Sequence, residues 1–297
     1  MKDYIIRATA GNGSVRIFAA NTKGLVNTAQ KLHSTTPVAT AALGRTLTAA
    51  AMMGATLKND TDILTIDIRG NGSLGGIVAV TDSQSRVKGY TFNPHIDMMK
   101  NKNGKLDVGG AVGIGVLTVT QDMGLKEPVS GQVELISSEI AEDITYYFAT
   151  SEQTPSSVAL GVLVDVDYTV KQAGGYMIQL MPFAAEEMIT HLESVLPKLP
   201  PITSLLEDGK TVEDILDMIF EGQGLTILDT IYPEFYCNCS REKTEKALLS
   251  VGAQELRSIL EEDRGATLHC NFCNTDYVFD EGDIINLVSM HTLENKG

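Results

Sequence analysis

Cys237-Asn238-Cys239 and Cys270-Asn271-Phe272-Cys273 are the two stretches that decide how the C-terminal part of this chain folds. Together they contain all four cysteines of the 297 residues, and no residue before position 237 is a cysteine. Cysteines that act only as small buried side chains are found throughout the apolar parts of a protein. Their confinement to two close pairs, which we call the first and second knuckle, therefore indicates one shared site.

Two chemistries explain two such knuckles. A structural zinc ion takes four soft ligands in a tetrahedron, and each knuckle provides two thiolates. The alternative is a pair of disulfides, which are typical of small secreted chains in oxidising compartments. A chain of 297 residues without a signal peptide is expected in a reducing cytosol, which favours zinc at rest. Disulfide formation stays open, because a thiolate released from zinc is a nucleophile with a second thiol within reach.

The composition is that of a globular protein, with 43% hydrophobic residues and a mean hydropathy near zero. The length predicts one large domain or two smaller ones. The segment Met1 to Arg7 is charged and has no apolar h-region, so we expect a cytoplasmic protein. The least charged stretch, Thr46 to Leu57, is too short to span a bilayer, so we expect no membrane partner.

The charge of the chain argues against a nucleic-acid-binding zinc ribbon. The net charge is −15 and the pI is near 4.7, whereas nucleic-acid binding requires Lys and Arg to neutralise phosphates. Arg241, Lys243 and Lys246 lie near the first knuckle, but Glu242 and Glu245 alternate with them. This run is predicted to be the exposed face of a helix, and no nucleic-acid partner is expected.

The N-terminal half has the period-two pattern of strands. Leu64, Ile66 and Ile68 alternate with polar residues, and Gly11-Asn12-Gly13-Ser14 predicts a hairpin turn. Thr36 followed by Pro37 predicts the start of a helix. Strands are predicted at 4–10, 15–20, 64–68, 77–81, 86–92, 116–121, 129–136, 158–164 and 176–181, and helices at 22–33, 37–57 and 140–148. We therefore predict an α+β fold, with residues 1–182 forming a mainly antiparallel sheet domain with packed helices.

Two patterns in this half resemble functional sites but are interpreted as structural. Gly70-Asn71-Gly72-Ser73-Leu74-Gly75 matches the dinucleotide fingerprint Gly-x-Gly-x-x-Gly. The segment Gly76 to Val80 that follows is typical of a strand, whereas a pyrophosphate needs a helix N-terminus there. Asp165 and Asp167 are expected in a turn between strands rather than in a metal site. We therefore predict no catalytic residues.

Residues 183–231 carry ten acidic side chains and two lysines. Apolar residues at helical spacing, from Met188 to Leu196 and from Ile215 to Phe220, predict short amphipathic helices. Thr211 is predicted to cap the second helix, without a full capping box because Asp214 stands where Glu or Gln is usual. Such short, like-charged helices are marginal unless their apolar faces dock on a neighbour. We interpret the segment as a helical acidic linker, either an ordinary connector or one that is poised to detach.

Residues 232–297 are too few to bury a large core, so bound metal is expected to contribute much of their stability. Helices are predicted at 241–249 and 254–262, and strands at 267–269 and 277–279 flank the second knuckle. His269 adjoins Cys270, but four cysteines already fill a tetrahedron. His269 is therefore predicted to be a bystander or a partner of a ligand, and not a ligand.

Several motifs spread along essentially the whole chain point to one family. They are Thr40-Ala41-Ala42-Leu43-Gly44-Arg45-Thr46, Gly131-Gln132-Val133-Glu134-Leu135, Thr145-Tyr146-Tyr147-Phe148, Ser151-Glu152-Gln153, Ala173-Gly174-Gly175, Gln179-Leu180-Met181-Pro182, Phe235-Tyr236-Cys237-Asn238-Cys239-Ser240 and the second knuckle. With these motifs the chain resembles the heat shock protein 33 family of redox-regulated holdase chaperones.

The resemblance implies an ATP-independent chaperone of the stress response that is not an enzyme. In such proteins Cys237, Cys239, Cys270 and Cys273 ligate Zn²⁺ in the reduced, inactive form. Oxidants convert them to the Cys237–Cys239 and Cys270–Cys273 disulfides, and the zinc is lost. The zinc-binding redox-switch domain (232–297) and the linker then unfold. The exposed apolar surface holds unfolded or oxidatively damaged client proteins, and the activated chain forms a homodimer.

The resemblance also favours the interpretation of the linker as a detachable segment. An alternative function from the enzyme class is a thiol-disulfide oxidoreductase that uses Cys270 and Cys273. Its weakness is that the second knuckle has no βαβ context and is accompanied by a second, zinc-like pair.

Overall fold

The computed structural model describes residues 2–182 and 184–294, with side chains through residue 290. Met1, Phe183 and residues 295–297 lie outside the described residues. Each of the predicted segments 1–182, 183–231 and 232–297 includes at least one of them. The chain divides into two compact units, Met1–Tyr236 and Cys237–Gly297. Each unit has its own apolar core, and each is described by itself below.

The first unit contains strands and helices in mixed order. Its strands are β1 (Tyr4–Ala10), β2 (Val15–Asn21), β3 (Ile63–Gly70), β4 (Gly76–Asp82), β5 (Arg86–Thr91), β6 (Gly115–Asp122), β7 (Val129–Glu134), β8 (Ser156–Val164), β9 (Val170–Leu180), β10 (Thr226–Ile231) and β11 (Glu234–Phe235). Its α-helices are α1 (Lys23–His33), α2 (Pro37–Gly54), α3 (Val108–Val112), α4 (Ala141–Thr150), α5 (Glu186–Val195), α6 (Ile202–Glu207) and α7 (Val212–Ile219), and a 3-10 helix (Leu196–Lys198) follows α5.

Each strand and helix predicted for the first 182 residues is present, whereas the short helix α3 was not predicted. The strands form two sheets, in the orders β10-β1-β2-β9-β8 and β11-β5-β4-β3-β6-β7. Neighbouring strands are antiparallel except β11 with β5. The α+β fold with mainly antiparallel sheets and packed helices is confirmed.

Helix α2 forms the centre of the core of the first unit. It contacts strands of both sheets, and all of its residues except Arg45 are buried. Its small side chains allow this close approach. A Cβ atom added at Gly44 would lie 2.5 Å from Cγ1 of Val26 and 2.8 Å from Cγ2 of Val162, closer than packed atoms tolerate. The Ala- and Gly-rich composition therefore lets α1 and β8 pack directly on α2.

Helices α5, α6 and α7 cover the other face of the five-stranded sheet. Side chains alternate along a strand, so Ile5 faces the core around α2, whereas its neighbour Ile6 belongs to a second apolar cluster. Among residues 183–231, those buried in this second cluster are Met188, Leu192, Ile202, Leu205, Leu206, Val212, Ile215, Leu216, Ile219 and Phe220. Both predicted apolar stripes are therefore docked faces.

Strand β10 is the part of residues 183–231 that the helical pattern did not predict. It pairs antiparallel with β1, with Ile5 opposite Ile231 and Thr9 opposite Thr226. Five of its six residues are exposed, so the sequence carries no buried alternation to indicate a strand. The backbone ladder with β1 and an ion pair between Arg7 and Asp229 hold β10 at the edge of the sheet.

The N-terminus of α7 differs from the sequence-based expectation. Thr211 Oγ1 accepts a hydrogen bond from Asp214 N at 3.1 Å, and Asp214 Oδ2 accepts one from Thr211 N at 2.7 Å. Both bonds of a capping box are therefore present, and the prediction that Asp214 cannot complete one was wrong. The shorter aspartate reaches back because Thr211 has the extended backbone (φ −80°, ψ 169°) of an N-cap.

Both patterns interpreted as structural in the N-terminal half have the local structure that was predicted for them. The stretch Gly70–Gly75 connects β3 to β4, so no helix follows its glycines. Asp165 and Asp167 lie in the turn between β8 and β9, where Asp165 O accepts from Tyr168 N at 3.0 Å and Asp167 Oδ1 accepts from Thr169 N at 2.9 Å. Within the described residues, no helix is long and apolar enough to cross a membrane.

The second unit is a small α+β module. Its elements are α8 (Arg241–Ser250), α9 (Ala253–Glu262), β12 (Ala266–Cys270), β13 (Thr275–Phe279) and α10 (Glu281–Glu294). The two predicted helices and the hairpin are present, whereas α10 was not predicted. The buried core consists of a few apolar side chains from the helices and β13, namely Leu248, Leu256, Phe279, Ile284 and Leu287.

Candidate metal centre

The first knuckle lies between a strand and a helix. Cys237 follows β11 by two positions, and Cys239 directly precedes Ser240, the N-cap of α8. The Ser240 side chain accepts a hydrogen bond from Lys243 N at 3.3 Å, and Lys243 Nζ donates to the Asn238 carbonyl at 2.8 Å. These bonds fix the backbone on both sides of Cys239.

The second knuckle is the turn of a hairpin. Cys270 is the last residue of β12, and Asn274 N donates to Cys270 O at 2.8 Å to close the turn before β13. Asn274 has a positive φ of 57°, a conformation that asparagine tolerates better than most residues. The chain therefore reverses sharply, and Cys270 and Cys273 end on the same side.

The four sulfur atoms form one compact cluster. All four Sγ atoms lie within 4.8 Å of one another, with 3.7 Å between Cys237 and Cys270 and 3.2 Å between Cys239 and Cys273. Zinc–sulfur bonds of about 2.3 Å place the corners of a tetrahedron about 3.8 Å apart. Disulfide sulfurs are only about 2.05 Å apart, and all four cysteines are free thiols. Both the distances and the donor set of four thiolates fit a tetrahedral zinc ion.

The thiols of this cluster differ in acidity. Burial raises the pKa of Cys237 to about 12 and also raises the pKa of Cys273. Burial acts in the same direction on Cys239, but hydrogen bonds from the Tyr277 hydroxyl and from the other three thiols outweigh it and lower the pKa of Cys239 to about 7. Without metal, Cys239 therefore ionises more readily than Cys237 or Cys273.

His269 lies beside the cluster in sequence but not in space. It pairs with Asp276 across the hairpin, and its Nδ1 lies 2.7 Å from Asp276 Oδ1. Because side chains alternate along β12, His269 points to the opposite face from Cys270. The structure thus brings the four predicted cysteines together and leaves His269 outside the cluster.

Tyr277 is a contact of the cluster that sequence reasoning missed. Its hydroxyl lies 3.1 Å from Cys239 Sγ, and this hydrogen bond helps to raise the pKa of Tyr277 to about 12. Tyr277 and Thr275 are two positions apart along β13, so both side chains lie on the face of the hairpin that carries Cys270. The predicted hairpin already implied that Tyr277 and Thr275 share a face. It did not indicate that the Tyr277 hydroxyl contacts Cys239.

A family model described as Hsp33 protein matches residues 3–280. The chain belongs to the Hsp33 family. The 33 kDa chaperonin of Clostridium beijerinckii is 49% identical over 290 residues, which cover 97% of this chain and 99% of the relative. The 33 kDa chaperonin of Clostridioides difficile is 51% identical over 289 residues, with the same coverage of 97% and 99%.

The fold agrees with a solved Hsp33 structure. The crystal structure of the 33 kDa chaperonin (heat shock protein 33 homolog) from Thermotoga maritima matches with a TM-score of 0.92 and 37% identity, covering 98% of this chain and 99% of that chain. Hsp33 proteins are redox-regulated holdases and not enzymes, and the four-cysteine cluster is typical of the Hsp33 zinc site. The predictions of a chaperone, of zinc and of no enzymatic activity are confirmed.

Proposed function

We propose that this Hsp33 chain holds unfolding proteins once oxidation dismantles its four-cysteine site, and that the reduced, zinc-bound form is inactive. One observation carries the proposal. Four sulfur atoms lie within 4.8 Å in a unit whose core, in the described residues, consists of five buried apolar side chains. A module with so small a core depends on its metal site for stability.

The proposed zinc ligands are Cys237, Cys239, Cys270 and Cys273. A bound zinc ion joins the two knuckles and contributes roughly 10 to 16 kcal/mol of apparent binding free energy. A module of this size has a net free energy of unfolding of only about 3 to 10 kcal/mol. The metal contribution is the larger of the two, so loss of zinc is expected to unfold the second unit.

The proposed disulfides are Cys237–Cys239 and Cys270–Cys273. Each forms when two thiolates, one peroxide molecule and two protons give one disulfide and two water molecules. The sulfur distances of 3.7 and 3.2 Å join different knuckles, but all four sulfurs lie within 4.8 Å of one another, so distance does not select the pairing. A disulfide between knuckles would close a loop of 33 or 34 residues and stabilise the module. A disulfide within each knuckle leaves the intervening residues free to unfold.

We propose that the chain works as three parts, a chaperone core (1–182), a helical acidic linker (183–231) and a zinc-binding redox-switch domain (232–297). Polar contacts of the linker include the Tyr4 hydroxyl with Glu213 at 2.8 Å and Lys171 with Glu207 at 2.9 Å. Exposed ion pairs contribute at most about 1 kcal/mol, so docking depends on the apolar faces of α5, α6 and α7. These short helices are marginal once the chain that follows them unfolds.

Release of the linker helices uncovers one face of the five-stranded sheet, and we propose this face as the client-binding surface. Its buried members are contributed by three adjacent strands and are Ile6, Ala8, Ala10, Val15, Ile17, Ala19, Tyr176 and Ile178. A contiguous apolar patch of this kind is typical of a protein-interaction surface. Its clients would be unfolded or oxidatively damaged proteins, because only these expose matching apolar segments.

We also propose that the activated chain forms a homodimer and that the protein is cytoplasmic. An uncovered apolar face favours association with a second copy, which supports dimerisation on activation. The four free thiols and the zinc-type cluster suit a reducing compartment, which supports the cytoplasm.

The test is to treat the reduced zinc protein with peroxide under mild unfolding stress. We expect zinc content to fall from one ion per chain to none and free thiols from four to none. Aggregation of an unfolding client should then be suppressed without ATP, and peptide mapping should recover the two within-knuckle disulfides. Unchanged client aggregation after confirmed zinc loss would contradict the holdase switch, and disulfides between knuckles would contradict the proposed pairing.

A further inference from the structure

Two hydroxyl groups on β13 lie against the sulfur cluster. The Tyr277 hydroxyl donates to Cys239 Sγ at 3.1 Å, and Thr275 Oγ1 lies 3.3 Å from Cys273 Sγ. Residues 275 and 277 share one face of the strand because side chains alternate. Tyr277 belongs to the hairpin of the second knuckle, whereas its sulfur partner belongs to the first. The hydrogen bond therefore joins the two knuckles independently of any metal.

The position of the Tyr277 hydroxyl is set by the fold of the module. The backbone of Tyr277 is paired with Leu268 across the hairpin. Both side chains pack against the small core that contains Phe279 and Leu287. The ring is thus fixed at its base by the strand ladder and along its length by apolar contacts.

We propose that Tyr277 is a positioning residue of the redox switch, whose hydroxyl hydrogen-bonds the metal-bound Cys239 thiolate and thereby slows its reaction with oxidants. This inference rests on the proposed function, in which Cys239 is a zinc ligand. Hydrogen bonds to ligating sulfur atoms withdraw electron density from them and tune the metal site. Because a less electron-rich sulfur is a weaker nucleophile, Tyr277 sets how much oxidant the switch needs. Thr275 does not act on Cys273 in this way, because its Oγ1 accepts from Cys273 Sγ and its hydroxyl donates to the Cys273 carbonyl at 3.5 Å.

The size of the effect follows from the loss of one hydrogen bond. Removing the partner of a metal ligand lowers metal affinity about tenfold or more. Loss of a hydrogen bond to a charged group corresponds to a rise in sulfur basicity of about tenfold. This raises the nucleophilicity of the sulfur about threefold, because nucleophilicity follows basicity with a Brønsted slope of about 0.4 to 0.5. The variant Tyr277→Phe should therefore bind zinc about tenfold more weakly and lose it to peroxide about threefold faster.

The experiment uses the full chain with cobalt(II) in place of zinc, because cobalt reports the electronic state of its ligands. In Tyr277→Phe, the sulfur-to-cobalt charge-transfer band should move to lower energy, while the d–d bands, which report tetrahedral geometry, stay in place. If the tyrosine had only a structural role, its loss would change the geometry of the site, and the charge-transfer and d–d bands would change together. Tyr168→Phe, which changes an exposed tyrosine in the turn between β8 and β9, is the matched control and should leave both readouts unchanged.

A second variant keeps the test decisive if Tyr277→Phe binds cobalt poorly. Replacing Tyr277 with 3-fluorotyrosine keeps the ring and makes the hydroxyl a stronger donor, so the charge-transfer band should move to higher energy and peroxide should act more slowly. An unshifted band with an unchanged peroxide rate in both variants would overturn the proposal for Tyr277. If the unaltered protein itself shows no charge-transfer band of four thiolates, the proposed metal site is wrong instead.

Discussion

At the scale of single residues, Asp214 links the stability of α7 to pH. Its carboxylate accepts hydrogen bonds from the backbone N–H and the hydroxyl of Thr211, and these bonds lower the pKa of Asp214. A carboxyl whose pKa is lower in the folded state stabilises that state only while it is ionised. The stabilisation by the Asp214 carboxylate is complete above the pKa of an unfolded aspartate, about 3.9. It is lost as the pH falls through the lower pKa of the folded state.

We therefore expect α7 to open more often as pH falls below about 4. In Asp214→Asn, which cannot ionise, this part of the pH dependence should disappear. The measurement is amide hydrogen exchange of residues 212–219 between pH 2.5 and 5, corrected for intrinsic exchange rates. Glu221→Gln, an exposed acid beyond the end of α7, serves as the control. An equally steep acid dependence in Asp214→Asn would show that the capping carboxylate is not the titrating group.

At the scale of elements, the apolar face of α7 packs in the second apolar cluster and is proposed to hold the linker in place. Leu216 is fully buried in the second apolar cluster, whereas Met218 on the same helix is 39% exposed. Truncation of a buried leucine to alanine costs about 2 to 5 kcal/mol, and an exposed side chain usually changes stability by less than about 0.5 kcal/mol. The two residues therefore provide a matched pair within one helix.

We expect Leu216→Ala to suppress client aggregation partly even when reduced and zinc-bound, because the weakened linker undocks without oxidation. Met218→Ala should remain as inactive as the unaltered chain under the same conditions. Zinc content is measured in parallel, so that undocking can be separated from metal loss. If Leu216→Ala increases exchange of the α7 amides and the reduced protein still fails to protect clients, linker release is not what activates the chaperone.

Element pairing also explains the main errors of sequence reasoning. The apolar stripes of α5 and α7 were predicted, because the helical spacing of apolar residues can be recognised within a few consecutive residues. Strand β10 was not predicted, because it is an exposed edge strand whose partner β1 is more than 200 residues away. Its conformation is set by the backbone ladder with β1 and not by any local pattern.

At the scale of the whole molecule, all four cysteines, the proposed zinc ligands, lie in the second unit and none lies in the first. Removal of zinc is therefore expected to affect the two units unequally. The first unit keeps the core around α2, whereas the second loses the largest single contribution to its stability.

We expect calorimetry of the reduced zinc protein to show an unfolding transition of the second unit that a chelator abolishes. The chelated sample, kept under reducing conditions, should still show the main transition of the first unit. Restoring zinc should restore the lost transition, which is the control for irreversible damage. A transition of the second unit that persists when zinc content is zero would mean that its apolar core suffices for folding.

The sequence by itself determined the fold class, the family and the candidate metal site. The spacing of Cys237, Cys239, Cys270 and Cys273 indicates one metal site, because two close pairs can supply four thiolates to a tetrahedral ion. The strands follow from a period of two residues, and the start of α2 follows from Thr36 and Pro37. The tertiary structure decided which distant groups meet. It placed the Tyr277 hydroxyl on Cys239, β10 on β1 and α7 on the sheet, because such contacts depend on how elements pack in space and leave no signal at fixed spacing in the sequence.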